Sequence, residues 1–308
     1  MRTKITILPL LLLTFLLHSC YTELWVEEPA PVADVPVSAR QVLEAYDLWY
    51  VDIHATRGSG EVPFLQHAFT VSFDRGALLA NNNLVGIGKT GNGLGIQVGW
   101  YDTAGGIVAI DHDIDGLWDL DVYVLGNARV ELYDPQTDTS YFLHGYQRGQ
   151  FDYDGLFYDN IHYFLQEYSA WEKTFASDAG ALNDFDREHF LSFPALGNRD
   201  EFRSSEDLPG TPIQALVWDY QGRYTVYNVP GDPSLKTLTL DYEFMGNDYF
   251  ELYVIDDGTI ELYHPDSGTL YEFSGRGYRQ FLKDAGTDLR KRRAETLPDM
   301  HVSRKRPG

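Results

Sequence analysis

A single cysteine, Cys20, stands in a chain of 308 residues, so no disulfide can form within it and its domains must be held by packing alone. No apolar run approaches the roughly 20 residues that a membrane-spanning helix needs. The sequence also lacks H-E-x-x-H. Its histidines, among them His54, His67, His112, His144, His162, His189 and His264, are scattered and have no cysteine partner for zinc. G-x-S-x-G is absent, which removes the nucleophile elbow of an α/β-hydrolase. Basic side chains are scarce, 24 against 46 acidic, for a net charge of −22. Residues 288–308 hold 7 basic and 3 acidic side chains and the first 19 residues hold 2 basic ones, so the body between them carries −28. Such a surface repels nucleic acid and anionic lipid and suits divalent cations or cationic partners. The run Arg290-Lys291-Arg292-Arg293 and the later Arg304-Lys305-Arg306 read as a solvated basic tail.

The apolar residues that are present fall into informative places. Arg2 and Lys4 precede an apolar stretch over 5–17, which ends at Leu17-His18-Ser19-Cys20. The stretch is too short to span a bilayer and reads as an export signal that is removed. A small residue before a cysteine, with leucine three places back, resembles the lipobox of bacterial lipoprotein signal peptides. That resemblance implies that Cys20 becomes the lipidated first residue of the mature protein. The proline- and acid-rich stretch over 27–37 then reads as a tether. No aspartate stands directly after Cys20, which by similarity to enterobacterial sorting signals implies the outer membrane.

The body is one unit written twice. Laying 107–145 over 237–275 matches 11 of 39 positions without a gap, including Asp111 with Asp241, Gly116 with Gly246, Glu131-Leu132-Tyr133 with Glu261-Leu262-Tyr263, and Gly145 with Gly275. Upstream, Leu43, Tyr46 and Trp49 match Leu165, Tyr168 and Trp171 at a shift of 122. A duplicated domain is far longer than a solenoid period. The resulting organisation is a signal peptide over 1–19, a lipidated cysteine and tether over 20–39, β repeats over 40–152 and 158–285, and a basic, disordered tail over 286–308.

Each repeat opens with a short helical pattern, Val42, Leu43 and Tyr46 or Ile161, Phe164, Leu165 and Tyr168. Strand-like runs follow, in the first copy over 49–55, 69–73, 77–81, 94–101, 107–114, 117–125, 128–133 and 139–144. Asp115-Gly116 suits a two-residue type I′ hairpin, and Gly126-Asn127 and Asp257-Gly258 mark the next turn in each copy. The fold class is therefore mainly β, a tandem duplication of a small antiparallel meander, each copy preceded by a short helix. A meander of eight strands can close into an up-and-down barrel with a small cavity. A tryptophan at the head of the first strand, Trp49 or Trp171, with an arginine near the last, Arg148 or Arg279, resembles the lipocalin and calycin pattern. There the arginine packs across the tryptophan at the closed end of the barrel. Asp47 and Ser169 stand where that family has glycine. More loosely, the lipobox with aromatic tandem β repeats is similar to lipoproteins of Bacteroidota-type bacteria. A helix followed by a curved sheet is also similar to cone-shaped folds of the nuclear transport factor type.

Chemistry-bearing motifs are few. Gly86-Ile87-Gly88-Lys89-Thr90-Gly91 satisfies G-x-G-x-x-G, but a strand follows where phosphate binding needs a helix, and Asn83 stands where a Walker loop needs glycine. The motif reads as a flexible loop at a barrel mouth. Asp111-His112-Asp113-Ile114-Asp115-Gly116 places carboxylates of Asp111, Asp113 and Asp115 at alternate positions, as calcium requires, although Val122 holds the place of a bidentate glutamate. The same alternation suits an acidic hairpin with Asp111 and Asp113 on one face and His112 on the other. Tyr146, Tyr278, Trp100, Trp118 and Trp218 suit either a core or the stacking of a sugar. The expectation is a membrane-anchored, non-catalytic module that binds a small ligand or glycan and no nucleic acid. A lipoprotein that binds a partner protein, and a hydrolase using carboxylates or calcium, are the alternatives.

Overall fold

A computed structural model describes residues 38–58, 63–89, 91–194, 200–279 and 297–302. The signal peptide, Cys20, the tether over 27–37, Thr90 and most of the basic tail lie outside the described residues. Among the described residues no helix is long and apolar enough to cross a membrane.

The first repeat opens with helix α1 (Ala39–Leu43). Ser38 caps it: its Oγ accepts the Gln41 N–H while Gln41 Oε1 accepts the Ser38 N–H, a reciprocal capping box. Eight strands follow, β1 (Leu48–Gly58), β2 (Thr70–Asp74), β3 (Ala77–Asn81), β4 (Ile96–Ala104), β5 (Ile107–His112), β6 (Gly116–Gly126), β7 (Arg129–Asp134) and β8 (Thr139–Tyr146). Helix α2 (Pro63–His67) lies between β1 and β2. Each strand pairs antiparallel with the next, and β8 returns to β1, closing the barrel. Closure leaves no unpaired edge, which a sheet without disulfides or long covering helices would otherwise expose.

Helices α3 (Tyr153–Asp159) and α4 (Ile161–Leu165) lead into the second repeat. Its strands are β9 (Tyr168–Ala176), β10 (Phe190–Ser192), β11 (Glu201–Ser205), β12 (Tyr220–Val229), β13 (Asp232–Tyr242), β14 (Asn247–Asp256), β15 (Thr259–His264) and β16 (Thr269–Tyr278). They close in the same order, β16 pairing with β9. The protein is thus two similar eight-strand antiparallel barrels in tandem, each preceded by a short helix. The offset of 130 maps β7 onto β15 end to end. The cone-shaped alternative is overturned, because β8 and β1 pair from Leu48 to Gly58 and leave no open edge.

Among the described residues both interiors hold large buried side chains. In the first barrel Trp49, Val71, Leu78, Ile110, Leu132 and Tyr141 are buried, and in the second Trp171, Leu238, Phe250, Leu262, Tyr271 and Phe273. Trp49 and Tyr141 in the first, and Trp171, Phe250, Tyr271 and Phe273 in the second, occupy space that an eight-strand meander can leave to a ligand. The second core is continuous with Leu48, Phe69, Leu84, Val85 and Ile87 of the first repeat, joined through Phe157 and Tyr158 of α3 and Phe164 of α4.

Two local expectations change. Asp115-Gly116 is not a two-residue turn: His112 pairs with Gly116, leaving Asp113, Ile114 and Asp115 as a three-residue loop, with Gly116 at φ +79°. His112 Nδ1 accepts the Asp115 N–H at 3.0 Å and sets that loop. The type I′ geometry appears one hairpin later. Gly126 pairs with Arg129, and the linking Asn127 and Ala128 have φ of +52° and +56°. The basic tail is not free throughout either. Asn228 pairs in parallel with Asp299, accepts the Met300 N–H and donates to Pro298 O, both at 2.8 Å, because Leu297 packs on the second core.

Candidate functional site

The most alike residues of the two repeats form one cluster in each barrel. Trp49 Nε1 donates to Leu43 O at 2.8 Å, and Trp171 Nε1 donates to Leu165 O at 2.9 Å. Each bond satisfies a carbonyl at the end of the opening helix that has no helical partner. Tyr46 meets Trp49 edge-on at 5.0 Å, and Tyr168 meets Trp171 at 4.8 Å. A Cβ on Gly145 or Gly275 would lie 2.5 Å from the facing tyrosine ring, which explains glycine at both positions. The arginines contact the residues two places before the tryptophans: the Arg148 N–H donates to Asp47 Oδ2 at 3.0 Å, and Arg279 Nε lies 3.5 Å from Ser169 Oγ. This cluster is built for packing, with its polar atoms turned on one another.

The glycine motif has a different role. The loop between β3 and β4 is docked against the second barrel. Glu167, fully buried, accepts the Leu84 and Val85 N–H groups at 2.5 and 2.6 Å, and Asp257, also fully buried, accepts the Gly86 N–H at 3.1 Å. Asn83 Nδ2 donates to Arg279 O at 2.8 Å, and Tyr278 donates to Val85 O at 3.3 Å. Each glycine of the motif has a reason in this junction. Gly86 takes φ +88°, a Cβ on Gly88 would stand 2.8 Å from the Asp257 side chain, and one on Gly91 would strike Gly86 O. The expected flexible loop is a buried fastening, because backbone must come close to backbone and to carboxylates there.

Of the clefts that described residues line at the junction, two exceed 300 Å³. One, of about 360 Å³, lies under the glycine loop and is lined by Asn81, Asn83, Asn92, Ile96, Tyr168 and Tyr278, among others. The other, of about 350 Å³, is lined by Tyr50, Asp52, His54, Tyr158, Asp159 and Lys236, with Asn228 and Leu297 beside them. Burial raises the Asp159 carboxyl and lowers the Lys236 ammonium from their ordinary values, while each charge partly offsets the shift of the other. Lys236 Nζ donates to Pro233 O at 3.2 Å and sits 5.5 Å from the Tyr158 ring. Both volumes fall within the range of small-molecule sites.

The acidic hairpin lies elsewhere, on the first barrel. Asp111 and Asp113 are exposed, while His112 is buried and stacked on Phe64 at 5.0 Å. Burial lowers the His112 pKa against the opposing pull of Asp115 and Asp113, and Nδ1 accepts the Asp115 N–H. Among the described residues no group of three or more histidine, cysteine, aspartate or glutamate side chains is placed to hold a metal ion.

A polar cluster that no motif announces is enclosed in the second barrel. Lys173 Nζ donates to Phe185 O and Asp186 O at 2.9 and 3.2 Å, beneath the rings of Tyr271 and Phe185 at 4.6 and 4.8 Å. Burial lowers its pKa to about 8. Tyr242 donates to both oxygens of Glu188, whose carboxyl burial pushes up to about 7. Phe185, from the 3-10 turn Asp184–Arg187, packs on Phe250, Tyr271 and Phe273 and plugs the barrel. The lysine therefore pins a plug.

Sequence reasoning singled out Trp49, Trp171, Arg148, Arg279 and Tyr278, and it missed Glu167, Asp257 and Lys173. Glu167 is one of 46 acidic residues, and Ala45 is its counterpart at the shift of 122, so only the departure from the repeat distinguishes it. No protein-family model matches the chain, and no curated protein matches it.

Proposed function

We propose that the protein is a lipid-anchored extracytoplasmic module, non-catalytic, that binds a small ligand at the junction of its two barrels. The observation that carries this reading is the placement of space: large buried side chains occupy both interiors among the described residues, while clefts of about 360 and 350 Å³ lie where the repeats meet. The motif Leu17-His18-Ser19-Cys20 supports a lipid anchor at Cys20, with the outer membrane favoured, and the resemblance to the lipocalin pattern supports binding over catalysis. Native mass spectrometry of residues 21–308, purified gently from a periplasmic host, tests the binding half. An excess mass that is lost on denaturation, and lost again in a junction variant, supports it; a bound mass unaffected by junction variants overturns it. Labelling with a clickable palmitate analogue tests the anchor. The label is expected on the wild type and absent from Cys20→Ser, and an unlabelled wild type overturns it.

A second reading, a lipoprotein that binds a partner protein, is favoured by one patch. Trp100, Ile114 and Leu117 on the first barrel are 57%, 63% and 80% exposed, an unusual grouping of large apolar side chains on so acidic a body. Pull-down from detergent-solubilised membranes, with Trp100→Ala as control, separates this reading from the first.

A further inference from the structure

We propose that the cleft under the glycine loop takes a neutral, hydroxyl-rich ligand, a glycan; the proposal rests on the junction being the binding site. The first argument is charge. The described lining of this cleft contains no aspartate, glutamate, lysine, arginine or histidine, on a body whose net charge is −28. The nearest acids are turned away: Glu167 and Asp257 are fully buried and spend their oxygens on the Leu84, Val85 and Gly86 N–H groups. A charged ligand would be desolvated there with no counter-charge, which is costly, whereas hydroxyl groups need only hydrogen bonds.

The second argument is a donor without an acceptor. Asn81 is 5% exposed and lines the cleft. Its Oδ1 accepts the Asn83 N–H at 2.9 Å, which fixes the amide, and its Nδ2 group has no hydrogen-bond acceptor among the described residues. That Nδ2 lies 3.6 Å from where a Gly86 Cβ would stand, so glycine at 86 keeps the space beside it open. An amide N–H at the wall of a cleft takes its acceptor from water or from a ligand that displaces it. A sugar hydroxyl supplies such an oxygen in place of water.

The third argument is the aromatic floor. Tyr278 is 44% exposed, its hydroxyl held by Val85 O, and its ring lies 6.2 Å from that of the buried Tyr168. A fixed ring with an open face suits the C–H face of a pyranose, and Ile96 extends the apolar surface. An alkyl chain would find a shallow cleft bordered by three asparagines and no open barrel interior to enter.

Titration of residues 21–308, which retain the compact unit from Ser38 onward, tests the proposal by NMR. The probes are neutral gluco-, manno-, galacto- and xylo-oligosaccharides, a hexuronic acid oligosaccharide, and octanoate, each at millimolar concentration. The Asn81 side-chain amide signal is identified by its loss in Asn81→Asp. That variant keeps the oxygen that accepts the Asn83 N–H and removes the donor. At least one neutral oligosaccharide is expected to shift the Asn81 amide and the Tyr278 ring. Its affinity should fall at least tenfold in Asn81→Asp and Tyr278→Ala and be kept in Tyr278→Phe, and thermal melts show that each variant is folded. If only the uronic acid or octanoate shifts these signals, the ligand class is wrong and the junction site stands. If none of the probes shifts them and native mass spectrometry shows a bare chain, both fall. Sugar binding that survives both variants places the site elsewhere and overturns the proposal.

Discussion

Glu167, at the entry to the second barrel, accepts the backbone N–H of Leu84 in the first at 2.5 Å across 83 residues of chain, and takes the neighbouring Val85 N–H with its other oxygen. One buried side chain thus satisfies two backbone donors that would otherwise be orphaned inside a shared core. The repeats are therefore a single packed body from Ser38 onward.

Replacing Glu167 with Gln turns an amide NH₂ toward one of these N–H groups. A loss of about 3 kcal/mol is expected, or a melting temperature lower by roughly 6–12 °C. Calorimetry checks this, and a variant that melts within a degree of the wild type would show that the fastening does not matter.

Gly88→Ala and Gly116→Ala separate two uses of glycine. A Cβ at 88 meets the buried Asp257 side chain at 2.8 Å and disturbs its bond to Gly86, whereas a Cβ at 116 meets nothing within 4 Å and strains only a backbone at φ +79°. About 1–3 kcal/mol is expected for the first from overpacking and about 1 kcal/mol for the second from the left-handed backbone. Urea denaturation ranks them, and the reverse order would contradict the docking role.

Ala128 occupies φ +56° in the hairpin between β6 and β7, a region costly for a residue with a Cβ. Ala128→Gly should stabilise the protein by about 0.5–1 kcal/mol, relief of that strain outweighing the added freedom of the unfolded chain. A higher urea midpoint at an unchanged slope is the signature.

Glu188 gives the stability a pH dependence. Its folded pKa is raised to about 7 from an ordinary 4.5, mainly by burial, so between these values the folded state holds a proton that the unfolded state has released. The contribution of this residue is fully present below about pH 4.5 and is lost as pH rises toward 7. Glu188→Gln, uncharged at every pH, should therefore gain on the wild type between pH 5 and 7. A stability difference flat over that window would mean that Glu188 titrates normally.

Much of the architecture was legible in the residues. The alternating runs of the first repeat placed all eight of its strands, because half-buried strands write a period of two and their turns require glycine, asparagine or aspartate. The duplication was equally visible, since Trp49 and Trp171 or Gly145 and Gly275 occupy sites where bulk and close approach fix the residue type. Charge dominates the composition of the tail and points to solvent, whereas Leu297, set against an apolar surface, holds its neighbours to the second barrel.

Sequence by itself determined the strands, their order and the repeat, since each follows from local periodicity and from steric demands within one barrel. Whether the barrel interiors held ligand or side chains, what the glycine motif was for, and which of 46 acidic residues mattered were decided only by tertiary structure. Those outcomes depend on groups far apart in the chain, as when Glu167 meets Leu84 and Asp257 meets Gly86. A carboxylate reads the same in sequence whether it faces water or a pair of buried amide hydrogens, and only folding fixes which.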